Sequence, residues 1–306
     1  MARRKATPTA RPKKTAPTQS QLEITLIITP YDSNFQSILS LGGVHEPDYE
    51  AKKLSPVVPT NFEAIGEALS AGRDATPTRI DHKRFRRALK HAKESKVTGL
   101  ILKWLIFGTD ANYAQDAPFS NLSQIVIPDK NLKLSDARPD YYEGSPPQDI
   151  DRKVLQDLGS VILPSDHDPA LPNFFVEFKS LSGSRPVVQR QIVYDGALGA
   201  RAMDSLYNYS REERVNDGKA RVLGFTFDGV LLRAYTHHVE LSTSSPSRLE
   251  HFTAEVDCWG MTGNYVTFGQ GINALINGRE LAQKWREEVI RDVEDRLGLG
   301  VRDNSE

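Results

Sequence analysis

The chain has 306 residues, of which 39% are hydrophobic and 26% charged. That composition belongs to globular proteins and gives room for one large domain or two small ones. Apolar runs such as Val97 to Phe107 are too short to span a bilayer, and no signal-peptide core follows the N-terminus. The single cysteine, Cys258, rules out an internal disulfide and disfavours a cysteine-based zinc site. Between Asp257 and Trp259 it reads as a small buried hydrophobe. The net charge of −1 hides an asymmetry, because residues 1–21 carry six Lys/Arg and no acid. The rest of the chain has 33 basic residues against 40 acidic, so any nucleic-acid contact must be a local basic patch.

Residues 1–21, rich in Pro, Thr, Ala and basic side chains, are expected to form a disordered tail. Arg3-Arg4-Lys5 and Arg11-Pro12-Lys13-Lys14 fit nuclear import, a solvated tail without an address, or a mitochondrial presequence. Leu22 to Thr29 reads as a strand, and a short helix follows near Phe35 to Leu41. Thr60 or Asn61 is placed to cap a helix over Phe62 to Ala71. A second helix is predicted from Asp81 to Lys96, with Phe85, Leu89 and Ala92 as its apolar stripe. Its other faces carry Lys83, Arg84, Arg86, Arg87, Lys90 and Lys93. They read as a solvated face or as a phosphate-contacting helix, with Arg84, Arg87 and Lys90 as the contact residues.

Leu100 to Phe107 reads as a strand or a buried helix end, Gln124 to Pro128 as a short strand, and Ser135 to Gly144 as a strand running into a turn. Asp149 is placed to cap a helix over Asp151 to Leu158. After Pro186 the period becomes helical, and Val187 to Tyr209 reads as one long helix. Gln191, Asp195 and Gly199 fall on one stripe of it. Asp195 reads mainly as a partner for Arg190 or Arg201. Gly196 and Gly199 point to close packing on a sheet. Arg221 to Phe227 and Val230 to His237 form a hairpin about Asp228-Gly229. A strand over Phe252 to Trp259 and an amphipathic helix over Phe268 to Leu297 follow. His237 and His238 read as surface or core histidines.

The chemistry centres on Leu171 to Ser180, a short strand that carries two charges among phenylalanines. Alternation puts Phe174, Val176 and Phe178 on one face and Phe175, Glu177 and Lys179 on the other. An unpaired buried charge is expensive, so the pair is either structural or part of a metal site. Asp140 lies on the preceding strand. If the two strands are neighbours, Asp140, Glu177 and Lys179 share one cleft. Two carboxylates, with the Phe178 carbonyl as a third ligand, suit Mg²⁺ (or Mn²⁺). Lys179 would orient a water or stabilise an anionic transition state, which suits phosphodiester hydrolysis.

Pro139-Asp140 followed by Glu177-Phe178-Lys179 resembles the PD-(D/E)XK nuclease superfamily. The longer runs ARPDYYEGS, LPNFFVEFK and RQIVYDGALGARAM are similar to a family of fungal proteins described as PD-(D/E)XK nuclease-like, over about residues 135–260. The resemblance implies a restriction-endonuclease-like α/β fold, a central mixed β-sheet flanked by helices. The single domain so implied spans residues 22–306, with a core over about 60–260 and a C-terminal helix over about 268–297. It implies Asp140 and Glu177 as metal ligands, Lys179 as the catalytic lysine, and Gln191 as an orienting glutamine. The spacing from Gln191 to Tyr194 departs from the QxxxY signature of the exonuclease branch. A glutamate from the first core helix would be Glu63 or Glu67. The implied function is metal-dependent nuclease action on DNA inside the cell, with no membrane partner. The competing readings are an inactive nuclease-fold module that binds nucleic acid or protein, and an unrelated α/β protein with a structural ion pair.

Overall fold

The computed structural model describes residues 25–47, 57–90, 94–106, 110–243 and 248–299. The basic tail at 1–21 and Ala92 and Lys93 lie outside these. In chain order the elements are β1 (Leu26–Ile28), α1 (Phe35–Leu41), β2 (Val44–His45), α2 (Phe62–Ser70), α3 (Arg79–Leu89), α4 (Glu94–Ile106), β3 (Tyr113–Ala114) and β4 (Leu132–Leu134). There follow β5 (Tyr141–Ser145), α5 (Arg152–Ile162), β6 (Ala170–Phe178), α6 (Arg185–Tyr207), β7 (Val222–Phe227), β8 (Leu231–Leu241), β9 (Leu249–Gly260) and α7 (Tyr265–Arg296). Seven strands make one mixed sheet in the order β2-β9-β8-β7-β6-β5-β3. β6 and β7 are parallel and joined through α6, whereas β5–β6, β7–β8 and β8–β9 are antiparallel. β1 and β4 form a separate parallel pair.

The alternation along β6 divides the core. Phe175 packs with Ile192, Val193 and Met203 of α6 and with residues of α1 and α5. Phe174, Val176 and Phe178 pack on the opposite side with Phe85 of α3, Leu105 of α4 and Phe268 of α7. Each such phenylalanine contributes about 1.5–3 kcal/mol by leaving water. Glu177 and Lys179 therefore sit on the α6 side of the sheet. α6 reaches that side through its glycines. A Cβ on Gly196 would lie 2.1 Å from His237 Nδ1, and one on Gly199 would lie 2.7 Å from the Phe175 ring. Helix and sheet approach so closely that neither position has room for a methyl group.

Several local expectations are settled or corrected. The run from Leu100 takes the second of its two readings, a buried helix end: it is the C-terminal half of α4, where Val97, Ile101, Leu102 and Leu105 are buried at helical spacing. α3 ends at Leu89 rather than continuing to Lys96. Gln124 to Pro128 forms no strand, because the Ser123 and Gln124 carbonyls accept from the Arg201 guanidinium on α6. The strand predicted from Ser135 begins only at Tyr141. Asn61 precedes α2 without capping it by its side chain and instead bridges both backbone groups of Ala220. Asp151, not Asp149, caps α5. Cys258 is exposed rather than buried. The register slips between Ala234 and Tyr235, so Val256 is an extra residue in β9 and the face of everything after it changes.

The hairpin turn is as expected. Gly229 has φ +89°, and the Asp228 carboxylate accepts from the Val230 and Leu231 amides. His237 and His238 are core residues of β8, joined by His251 of β9. Burial pushes all three well below the ordinary histidine value of 6.5, His237 and His251 to about 3 and His238 to about 4. A base with a depressed folded pKa stays neutral while its unfolded counterpart protonates. Each therefore withdraws up to about 1.4 kcal/mol of stability per pH unit as pH falls below 6.5, and none above it. His238→Gln is expected to flatten the dependence of the urea midpoint on pH between 6.5 and 4 by about one proton's worth. An unchanged slope would show that His238 does not titrate on unfolding.

Candidate functional site at the end of β6

β5 and β6 pair so that Tyr141 faces Val176, which sets Asp140 opposite Glu177 on the α6 side of the sheet. The two residues are locked reciprocally. The Asp140 amide donates to Glu177 Oε1 at 3.0 Å, and the Phe178 amide donates to Asp140 Oδ2 at 2.7 Å. Lys179 continues the parallel ladder, its amide donating to the Phe227 carbonyl at 2.7 Å. Its ammonium turns back to donate to the Phe178 carbonyl at 2.9 Å. The three charges predicted to converge are thus together at one end of two adjacent strands.

α6 adds a residue that the sequence reading assigned to an ion pair. Asp195, buried and one residue before Gly196, stands within hydrogen-bonding reach of Glu177 rather than pairing with Arg190 or Arg201. Gln191, one turn earlier, opens into the same cleft. Its i, i+4 relation to Asp195 was the available signal. Glu63 and Glu67 do not join the site. They are exposed on α2, which packs against α7 and β9 on the opposite face of the sheet. The third carboxylate comes from α6 instead.

The cleft has a volume of about 400 Å³. Its outer wall is the β1–β4 pair. Because those strands are parallel, both run out at the same end, and Thr29 to Tyr31 and Ser135 to Arg138 line the opening together. The Tyr194 hydroxyl donates to the Ser135 carbonyl at 3.2 Å and ties this wall to α6. Arg138, bound to Asp116, stands at the rim.

Electrostatically the site is crowded with acids. Burial raises the Glu177 carboxyl well above the ordinary carboxylate value, the charges of Asp140 and Asp195 raise it further, and Lys179 opposes them. Burial likewise raises Asp195, again with Lys179 opposing. Glu177 Oε2, Asp195 Oδ2 and Gln191 Oε1 are buried with no hydrogen-bond partner among the described residues. Buried acceptor oxygens without donors call for a proton or a cation.

A hard divalent cation fits this donor set. Asp140 and Glu177 supply carboxylates, and the Phe178 carbonyl has a second lone pair beyond the one Lys179 uses. Among the described residues, no group of three or more His, Cys, Asp or Glu side chains stands in position to hold a metal ion. Any divalent cation held here would have few protein ligands and would have to keep several waters. No protein-family model and no curated protein sequence matches the chain.

Crowded carboxyls cost stability when the site holds no cation. Asp195→Asn is expected to raise the melting temperature in EDTA at pH 8, by roughly 2–4 °C for each kcal/mol of repulsion relieved. A lower or unchanged melting temperature would mean that Asp195 and Glu177 do not burden each other.

Proposed function

We propose that this protein is a metal-dependent phosphodiesterase of restriction-endonuclease-like fold that hydrolyses nucleic acid, with DNA as the expected substrate. The observation that carries the reading is the convergence of Asp140, Glu177, Asp195 and Lys179 at the end of β6, with buried acceptor oxygens that lack donors. The resemblance of Pro139-Asp140 and Glu177-Phe178-Lys179 to the PD-(D/E)XK pattern points the same way.

On this reading Asp140, Glu177 and the Phe178 carbonyl would hold Mg²⁺ or Mn²⁺, which when bound would supply a water of lowered pKa and positive charge against the phosphoryl group. Lys179 directs its ammonium at the developing negative charge of the phosphoryl oxygens. Gln191 accepts from the attacking water and so fixes its lone pair toward phosphorus. The water oxygen bonds to phosphorus and releases one proton to solvent, the ester P–O bond breaks, and the departing alkoxide takes up one proton from solvent. The β1–β4 wall limits the water that reaches the reacting atoms.

A second reading has a specific observation behind it. One oxygen each of Asp140 and Glu177 accepts a backbone amide, and Lys179 binds its neighbour's carbonyl. These bonds also serve a nuclease fold that no longer cleaves and acts as a binding module.

Cleavage of a labelled oligonucleotide at millimolar Mg²⁺ or Mn²⁺, abolished by EDTA, separates the two readings. Asp140→Asn, Glu177→Gln and Lys179→Ala are each expected to lower the rate by about 10²–10³-fold or more. Calorimetry supplies the counter-test: no binding of either metal at millimolar concentration, or full activity in Asp140→Asn, removes the enzyme reading.

A further inference from the structure

A second concave surface lies on the other face of the sheet. It is a cleft of about 530 Å³ between α3 and the start of α7, lined by Arg79, Lys83, Arg86, Arg87, Lys90 and Tyr265 among others. The five cations recur at positions 79, 83, 86, 87 and 90, one stripe along a helix, and all five are exposed. The stripe is about 16 Å long at 1.5 Å per residue. Among the described residues none of the five forms an ion pair and no acidic residue lines the cleft. The nearest acid on α3, Asp81, is spent on the Thr78 capping box. At the cleft's end the Arg79 guanidinium carbon lies 4.1 Å from the centre of the Tyr265 ring, over its face. Arg84, which sequence grouped with Arg87 and Lys90, is exposed but does not line the cleft.

Five uncompensated cations in one concavity repel one another, and an acidic protein gains nothing in stability from collecting them there. They suit a ligand with regularly spaced negative charges. The arginine–tyrosine pair suits a planar base, which must be unstacked to reach it. We propose that this cleft binds a single-stranded nucleic acid, the stripe of cations following the phosphates and the Arg79–Tyr265 pair receiving a base.

Its position relates it to the carboxylate site. His82, on the inner side of α3, contacts the Met261 carbonyl at 3.2 Å, and the Met261 amide donates to Val230 in the β7–β8 turn. The Phe85 ring lies 6.0 Å from that of Phe227, whose carbonyl accepts the Lys179 amide. Both clefts thus lie at the same end of the sheet, one on each face. A strand held by the basic cleft passes round that end toward Lys179. The binding itself does not depend on cleavage.

The test is fluorescence anisotropy of the full chain with a labelled single-stranded oligonucleotide, in EDTA and over a series of salt concentrations. Lys83→Glu with Arg87→Glu is expected to weaken binding at least tenfold. It should also reduce the slope of log affinity against log salt by about 1.4, two lost contacts at about 0.7 each. Arg84→Glu serves as a charge-reversal control outside the cleft and should stay within about threefold of the parent. Any of three results overturns the proposal: no binding by the parent chain, tighter binding of duplex than of single strand, or an equal loss in Arg84→Glu. Failure of cleavage with binding intact would fault the enzyme reading alone.

Discussion

The burial of the Glu177 carboxyl within an otherwise apolar strand is the constraint around which the molecule is arranged. A carboxylate removed from water is costly, and several kcal/mol must be returned by its surroundings. The return comes from three directions. β5 donates the Asp140 amide, the strand itself supplies Lys179 two residues on, and α6 closes over the end. The first depends on antiparallel pairing in one register, since a shift of one residue would turn Asp140 to the other face. The third depends on helix and sheet meeting without intervening side chains at Gly196 and Gly199. Close packing therefore does more than fill space: it brings a second acid, Asp195, up against the first.

That juxtaposition is unfavourable by itself. Like charges in a low-dielectric pocket raise each other's proton affinity, and a single ammonium does not balance three carboxyls. Sites whose residents burden one another are commonly those with work to do. The histidines of β8 and β9 offer a contrast. They are as deeply buried, yet remain neutral and act as polar packing.

Much of this frame was legible in the sequence. Alternation along 171–180 correctly divided the two faces of β6, Asp228-Gly229 marked the β7–β8 hairpin, and the small residues of α6 announced close packing. The convergence of Asp140, Glu177 and Lys179 followed from assuming that two strands were neighbours. What stayed hidden depended on tertiary placement. α4 was obscured because an eight-residue apolar run has no decisive period, and the informative Val97 precedes it. Asp195 looked like an ion-pair partner because two arginines flank it in sequence, whereas Arg201 is engaged with loop carbonyls. Glu63 and Glu67 were plausible by order along the chain, but order does not say which face of a sheet a helix will cover. Cys258 was misplaced by one bulge, a single extra residue with no local signature.

The inner side of α7 bears on how the chain reaches this state. Arg286 donates to Ser145 Oγ and Asn173 Oδ1, and the Asn173 amide group donates to the Arg221 and Ala282 carbonyls. One polar knot thus joins the last helix to β5, to β6 and to the entry of β7. Phe174, Val176 and Phe225 have their cover on that face partly from the same helix. On a ribosome, the central strands emerge more than a hundred residues before the start of α7 leaves the tunnel in the case of β5, and about ninety before in the case of β6. Until then their apolar face lacks the part of its cover that α7 supplies, and the knot has no arginine. Completion of the sheet's cover is therefore a late, non-local event, set by the last helix of the chain rather than by the strands themselves.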